Sequence, residues 1–184
     1  MKTAEQKPEH MTSLSGKRLV SKTHRRIAFR GILDSLEAEL IEAQILAMEK
    51  GETDLCAHLG EVLDYCRAIM AAEVKETPLP PPFLFGMDAE EIHRKSHQPM
   101  ANGAGGKAIP LPDYTQGALA ARINTLRAKI REAELVAVRA FGPEEQPEVK
   151  PPSQGSKEIR EDIILALKRL SSALWLLFCW YVSE

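Results

Sequence analysis

Asn124, Arg127, Arg131 and Glu134 follow one another at +3, +4 and +3, the repeat of one side of a helix. An apolar line runs one residue earlier, through Ile123, Leu126, Ile130, Ala133 and Ala137. At 3.6 residues per turn the two lines lie roughly 100° apart, so cations and amides flank a buried face. Two guanidiniums four residues apart repel on an isolated helix. Glu134 can answer Arg131 from three residues on, which leaves Arg127 in want of an outside anion. A carboxylate from another helix or a phosphate would serve, since the planar guanidinium fork grips either in pairs of hydrogen bonds. Asp34 is a candidate carboxylate, with Arg30 as its own i−4 neighbour and simpler partner. Spacing alone leaves a structural lattice of ion pairs and a ligand site both open.

The elements that must hold this seam are helical. Phe29, Leu33, Leu36 and Leu40 form one stripe at i, i+4, i+7 and i+11, predicting a helix over about residues 24–50 that Gly51 ends. Thr53 or Asp54 can cap a second helix to about residue 75, with Leu55, Leu59, Val62, Cys66 and Ile69 inward. The prolines of "TPLPPPFLFGM" predict an extended path. A short helix follows at about 88–95, then irregular chain over 96–113. The seam helix spans about 114–141. A polar, Pro-rich connection leads to a last helix over about 156–182, with Ile159, Ile163, Ala166, Leu170, Ala173 and Leu177 in near-heptad order. No segment alternates with period two. The expectation is therefore all-α: four long helices and a short one in an up-and-down bundle. Residues 1–16 read as a flexible lead and 17–184 as the bundle.

The 184 residues are 44% hydrophobic and 27% charged with net charge −2, a balance that argues against a general nucleic-acid binder. Residues 17–30 nevertheless hold six Lys and Arg and no acid, a pattern that suggests nearby phosphate or a solvated basic face. Cys56, Cys66 and Cys179 are odd in number and lack a CxxC pair, so free thiols and a reducing, cytoplasmic setting are expected. The run "ALWLLFCWYV" is short for a membrane span of roughly 20 residues and reads as a buried terminal helix. "NGAGGKA" lacks the first Gly and the Ser or Thr of a phosphate loop. His93 and His97 stand four apart, but no further ligands accompany them, so they read as surface or capping residues and no metal site is expected.

Five segments, in order, carry a resemblance: "LVSKTHRRIAFRGILDSLEAEL", "LFGMDAEEIHRKSHQP", "LPDYTQG", "LRAKIREAELVAVRAF" and "REDIILALKRLSS". Together they resemble the corrinoid (cobalamin) adenosyltransferases of the ethanolamine-utilisation type and, more distantly, the propanediol-utilisation type. The likeness spans about residues 17–182. It implies a trimer of helical bundles with ATP between subunits, Mg2+ accompanying the ATP, and cobalamin alongside. It further implies transfer of the 5′-deoxyadenosyl group to cobalt with release of triphosphate. Asp34 would pair with Arg127 across the interface, and Arg131 would lie by the nucleotide with Glu134 as its acidic partner. Lys22, Arg26 and Lys17 are the further phosphate contacts expected, with Lys168 another in place of the family's Asn, and Phe83 and Phe85 the corrin contacts. Partners implied are a corrinoid reductase, a cobalamin-dependent enzyme and a bacterial microcompartment shell.

The chain departs from the family pattern at Lys168, where Asn is usual, and at Ala128, where Thr is usual. It also lacks the propanediol type's Gly- and Thr-rich nucleotide loop. No cysteine precedes Cys56, whereas enteric relatives carry an upstream Cys-rich metal segment. These departures motivate an alternative: a non-catalytic trimeric corrinoid carrier or microcompartment interaction protein on the same fold.

Overall fold

A computed structural model describes residues 7–16, 18–99, 111–142 and 159–183. Helices make up most of it: α1 Arg25–Glu49, α2 Thr53–Lys75, α3 Ala89–His97, α4 Gly117–Phe141 and α5 Glu161–Tyr181. The expected stripe of α1 is wholly buried, and Ala43 and Ala47 extend it. His24 caps α1 through its side chain, which accepts from the Arg26 amide at 3.2 Å. The chain reverses over residues 50–52, where Gly51 takes φ +79°, and α2 runs back antiparallel to α1. α2 ends on Glu76 at φ +55°, closed by the Thr77 amide donating to the Ala72 carbonyl at 3.0 Å.

α1 packs on α2 and α4, while α5 packs on α4, α3 and, more lightly, α2. The direction of α4 follows from two ion pairs: Lys129 to Glu39 at 2.8 Å and Arg122 to Glu42 at 3.3 Å. As the number falls on α4 it rises on α1, so these two helices are antiparallel. α5 is the most apolar element. Ten of its residues are buried, including Leu170, Leu174, Leu177 and Phe178. By length and composition it could cross a membrane. Its burial against α3 and α4 is instead that of a core helix. Cys56, Cys66 and Cys179 are free thiols, and burial raises Cys66 to about 12 and Cys179 to about 11.

Two small hairpins correct the expectation of an entirely strand-free chain. β1 Met11–Ser15 pairs antiparallel with β2 Arg18–Ser21, in register Met11 to Ser21 and Ser13 to Leu19. β1 thus lies within the lead read as flexible, and it buries Leu14 against the helices. β3 Phe83–Leu84 pairs with β4 Met87–Asp88 through a two-residue turn. Both turn residues, Phe85 and Gly86, have positive φ, +56° and +72°, as tight hairpin turns of this hand demand. Element bounds also shift. A 3-10 turn at Tyr114–Gln116, capped by Asp113, precedes α4. Of the segments read above, Lys17, the glycine loop at 102–108 and most of the Pro-rich connection lie outside the described residues.

Candidate functional site

α4 carries its polar seam along one flank of the apolar face, as its spacing requires. Arg127 is half-buried, and its Nε and Nη2 donate to Asn124 Oδ1 at 3.1 and 2.9 Å. Its guanidinium lies over the Trp175 ring of α5, 5.6 Å from the centroid. Both partners are neutral, so they orient the cation without cancelling its charge. Burial, and after it the charge of Arg131, hold the Arg127 pKa below the usual guanidinium range. Arg131 is exposed. Among the described residues neither Arg131 nor Glu134 has an ion-pair partner, so the expected Arg131–Glu134 bridge is not formed in the single chain.

Asp34 is exposed on α1. It lies toward Glu37, whose carboxyl reaches Arg67 of α2 at 3.7 Å. Glu39 and Glu42, by contrast, face α4. Asp34 and Arg127 therefore stand on different sides of α1 and do not meet within one protomer. Arg30, its simpler partner by spacing, is engaged elsewhere. Asp34, Ile41, Ile45 and Met48 recur at +7, +4 and +3, one outward line whose three apolar members are exposed. On α4, Leu135 and Val138 follow Arg131 at +4 and +7 and are exposed too.

The basic segment at 17–30 is partly spent on structure. Glu73 of α2 is fully buried, and its two oxygens accept from Arg26 Nε and Arg30 Nε, each at 2.5 Å. Arg26 also gives Nη2 to the Glu73 carbonyl at 2.9 Å and Nη1 to Glu76 at 2.6 Å. All three nitrogens of Arg26 are thus engaged within the protomer. Arg30 Nη2 donates to the Leu14 carbonyl at 2.7 Å, fastening the first hairpin to the bundle. Lys22 remains exposed beside this hairpin, and Lys168 is exposed on α5.

Phe83 and Phe85 part company. Phe83 is 67% exposed, free to face a large flat ligand. Phe85 packs edge-on against His58 at 4.7 Å and Trp180 at 6.1 Å, so its main contacts are internal. Its amide donates to Glu61 at 2.7 Å, which helps hold the left-handed backbone. His93 and His97 touch ring to ring at 4.6 Å, and among the described residues no three His, Cys, Asp or Glu side chains cluster as metal ligands. A shallow concavity between Glu52, Gln116, Tyr181 and Val182 contains none of the seam residues.

Residues 2–181 match the cobalamin adenosyltransferase family. The chain belongs to that family. Corrinoid adenosyltransferase EutT of Escherichia coli strain K12 is 32% identical over 97% of the chain, and the EutT of Salmonella typhimurium strain LT2 is 30% identical over the same share. The chain spans 61% of the length of each of these relatives. No solved structure matches. For this member of the cobalamin adenosyltransferases, two further positions stand out: Glu73, and Arg169, whose Nε and Nη1 are buried without a hydrogen-bond partner among the described residues. Glu73 had a legible signal, an acid seven residues beyond Cys66 on the apolar stripe of α2. Arg169 had none, because an Arg beside a core position normally reaches solvent.

Proposed function

We propose that the chain is an ATP:cob(I)alamin adenosyltransferase, working as a homotrimer with ATP at the junction between protomers. Reduced cobalt supplies the electron pair that attacks C5′ of ATP. The Co–C bond forms as the C5′–O bond breaks, and triphosphate departs with the bonding electrons. Such a nucleophile needs no activating base, so the protein's work is to orient the two substrates and neutralise the leaving group. Arg131 contacts the phosphates and Arg127 stiffens the wall beside it, pairing with Asp34 of an adjoining copy; Glu134 sets the Arg131 side chain. Lys22 and Lys168 add charge toward the tail, where any Mg2+ would arrive with the nucleotide and offset part of the phosphate charge. Phe83 offers an apolar face to the corrin, with Phe85 shaping the turn behind it.

One observation carries this reading: in a chain of this family, α4 presents two adjacent guanidiniums that no carboxylate among the described residues of the same protomer neutralises. Asp34 supports it from the other side, lying on the exposed apolar line of α1, where a second copy could cover it. The test is anaerobic: protein, ATP and chemically reduced cobalamin are mixed and the corrin absorbance followed. Adenosylcobalamin is expected, and Arg131→Ala is expected to slow its formation on the order of 100-fold. A folded protein that neither binds nucleotide nor turns over would overturn the assignment. Lys168 and Ala128 favour a second reading, a carrier that holds corrinoid without converting it. Corrinoid binding without turnover, with activity restored by Lys168→Asn, would select that reading.

A further inference from the structure

Arg169 of α5 has two guanidinium nitrogens, Nε and Nη1, closed off from solvent with no hydrogen-bond partner among the described residues. A charged donor sealed in this way is costly, on the order of a few kcal/mol, and persists where something else supplies the acceptor. The surroundings are cationic. Lys168 precedes it on α5, and α3, which packs on α5, brings His93 with its ring against His97. Lys95 and Arg94 on α3 are already answered by Glu91, at 2.9 and 3.8 Å. No carboxylate among the described residues pairs with Arg169, Lys168 or either imidazole.

We infer that Arg169, His93 and Lys168 form an oxyanion pocket at the α3–α5 junction, which receives the far end of a polyphosphate tail. Each bidentate edge of a guanidinium joins Nη2 to either Nε or Nη1, so one phosphoryl group answers Nη2 and one of the sealed nitrogens together. The pocket draws on α3 and α5, whereas the Arg127–Asn124 seam lies on α4. It therefore assigns the terminal phosphate to α3 and α5, where the seam takes the phosphates nearer the sugar. His93 gives the pocket a pH response. Its pKa is held below the usual imidazole value by the charge of Arg169 first, then burial, His97 and Lys168. A bound oxyanion offsets those cations, favours the imidazolium and raises that pKa. Binding then strengthens as pH falls through the His93 midpoint.

The assignment of the phosphate as ATP's own rests on the adenosyltransferase reading; the oxyanion pocket does not. The probe is therefore tripolyphosphate, titrated by calorimetry into the 184-residue chain, with the His93 ring followed by NMR. Saturating tripolyphosphate is expected to raise the His93 titration midpoint. Arg169→Met is expected to weaken tripolyphosphate at least tenfold, with Arg169→Lys recovering part of the loss. His93→Gln should keep most of the binding while removing its pH dependence. Should Arg169→Met fail to fold, the wild-type His93 titration and Arg169→Lys still decide. Tripolyphosphate that binds without moving His93, or binds Arg169→Lys and Arg169→Met as well as wild type, overturns the inference. So does a His93 midpoint that follows protein concentration and ignores tripolyphosphate, which would give Arg169 to a carboxylate of a second copy. Tripolyphosphate binding at Arg169 in a protein that makes no adenosylcobalamin would leave the pocket standing and remove the adenosyltransferase reading.

Discussion

Glu73 holds two arginines of α1 with its two oxygens while being wholly out of water. Removing the charge of such a residue leaves two guanidiniums facing each other in a poorly solvated gap. Glu73→Gln should therefore lower the unfolding free energy by about 3 kcal/mol, read from urea denaturation, since breaking one partner of a buried ion pair is far costlier than a surface pair. An unchanged midpoint would mean that water already screens this cluster. The sequence made the presence of Glu73 on an apolar stripe visible, but not its partners. Which arginine it meets depends on the axial offset of α1 against α2, and spacing within one helix does not specify that. The same gap hides the partners of Arg26: a basic run looks alike whether it waits for phosphate or is already neutralised by a distant acid.

Between elements, Asp162 ties the Pro-rich stretch to the start of α5. Its Oδ2 accepts from the Leu79 amide at 2.9 Å, and Arg160 donates to both its oxygens at 2.9 and 2.8 Å while reaching the Thr77 carbonyl. The hydrogen bonds from Arg160, opposed by partial burial and aided by the Leu79 and Ile163 amides, pull the Asp162 carboxyl down to about 2. The folded pKa lies below the unfolded one, so the contribution is complete above about pH 4 and is lost as pH falls toward about 2. Asp162→Asn should flatten that limb of a stability-versus-pH curve, and a limb that keeps its slope would assign acid sensitivity elsewhere. Long helices were readable because four or more turns repeat the same pattern. The hairpins were not, because strands of two to five residues offer too few positions for alternation to register. Phe85 sharpens the point, since a positive φ at an aromatic residue has no sequence signature.

At the scale of the molecule, the exposed line of Ile41, Ile45 and Met48 beside Asp34 is the surface on which the proposed assembly turns. Ile45→Glu should place a charge in that contact and shift the mass measured by light scattering from trimer toward monomer, with adenosyl transfer falling alongside. A trimer that survives the change would move the interface, and with it the Asp34–Arg127 pair, to another face. The proposed assembly rests on family likeness, because an apolar outward residue in one chain has no number attached for the residue that covers it.

The Arg30 bond to the Leu14 carbonyl has a further consequence for motion. It makes the first hairpin, the opening turn of α1 and the closing turn of α2 share a single carboxylate as their common anchor. Amide protons in Leu19 and Val20 should then exchange with deuterium in step with those near Glu73, as one cooperative opening, and not as a frayed end. The hairpin that carries Arg18, with Lys22 just beyond it, would be presented to a ligand as a rigid shelf, its stiffness set by a carboxylate of α2.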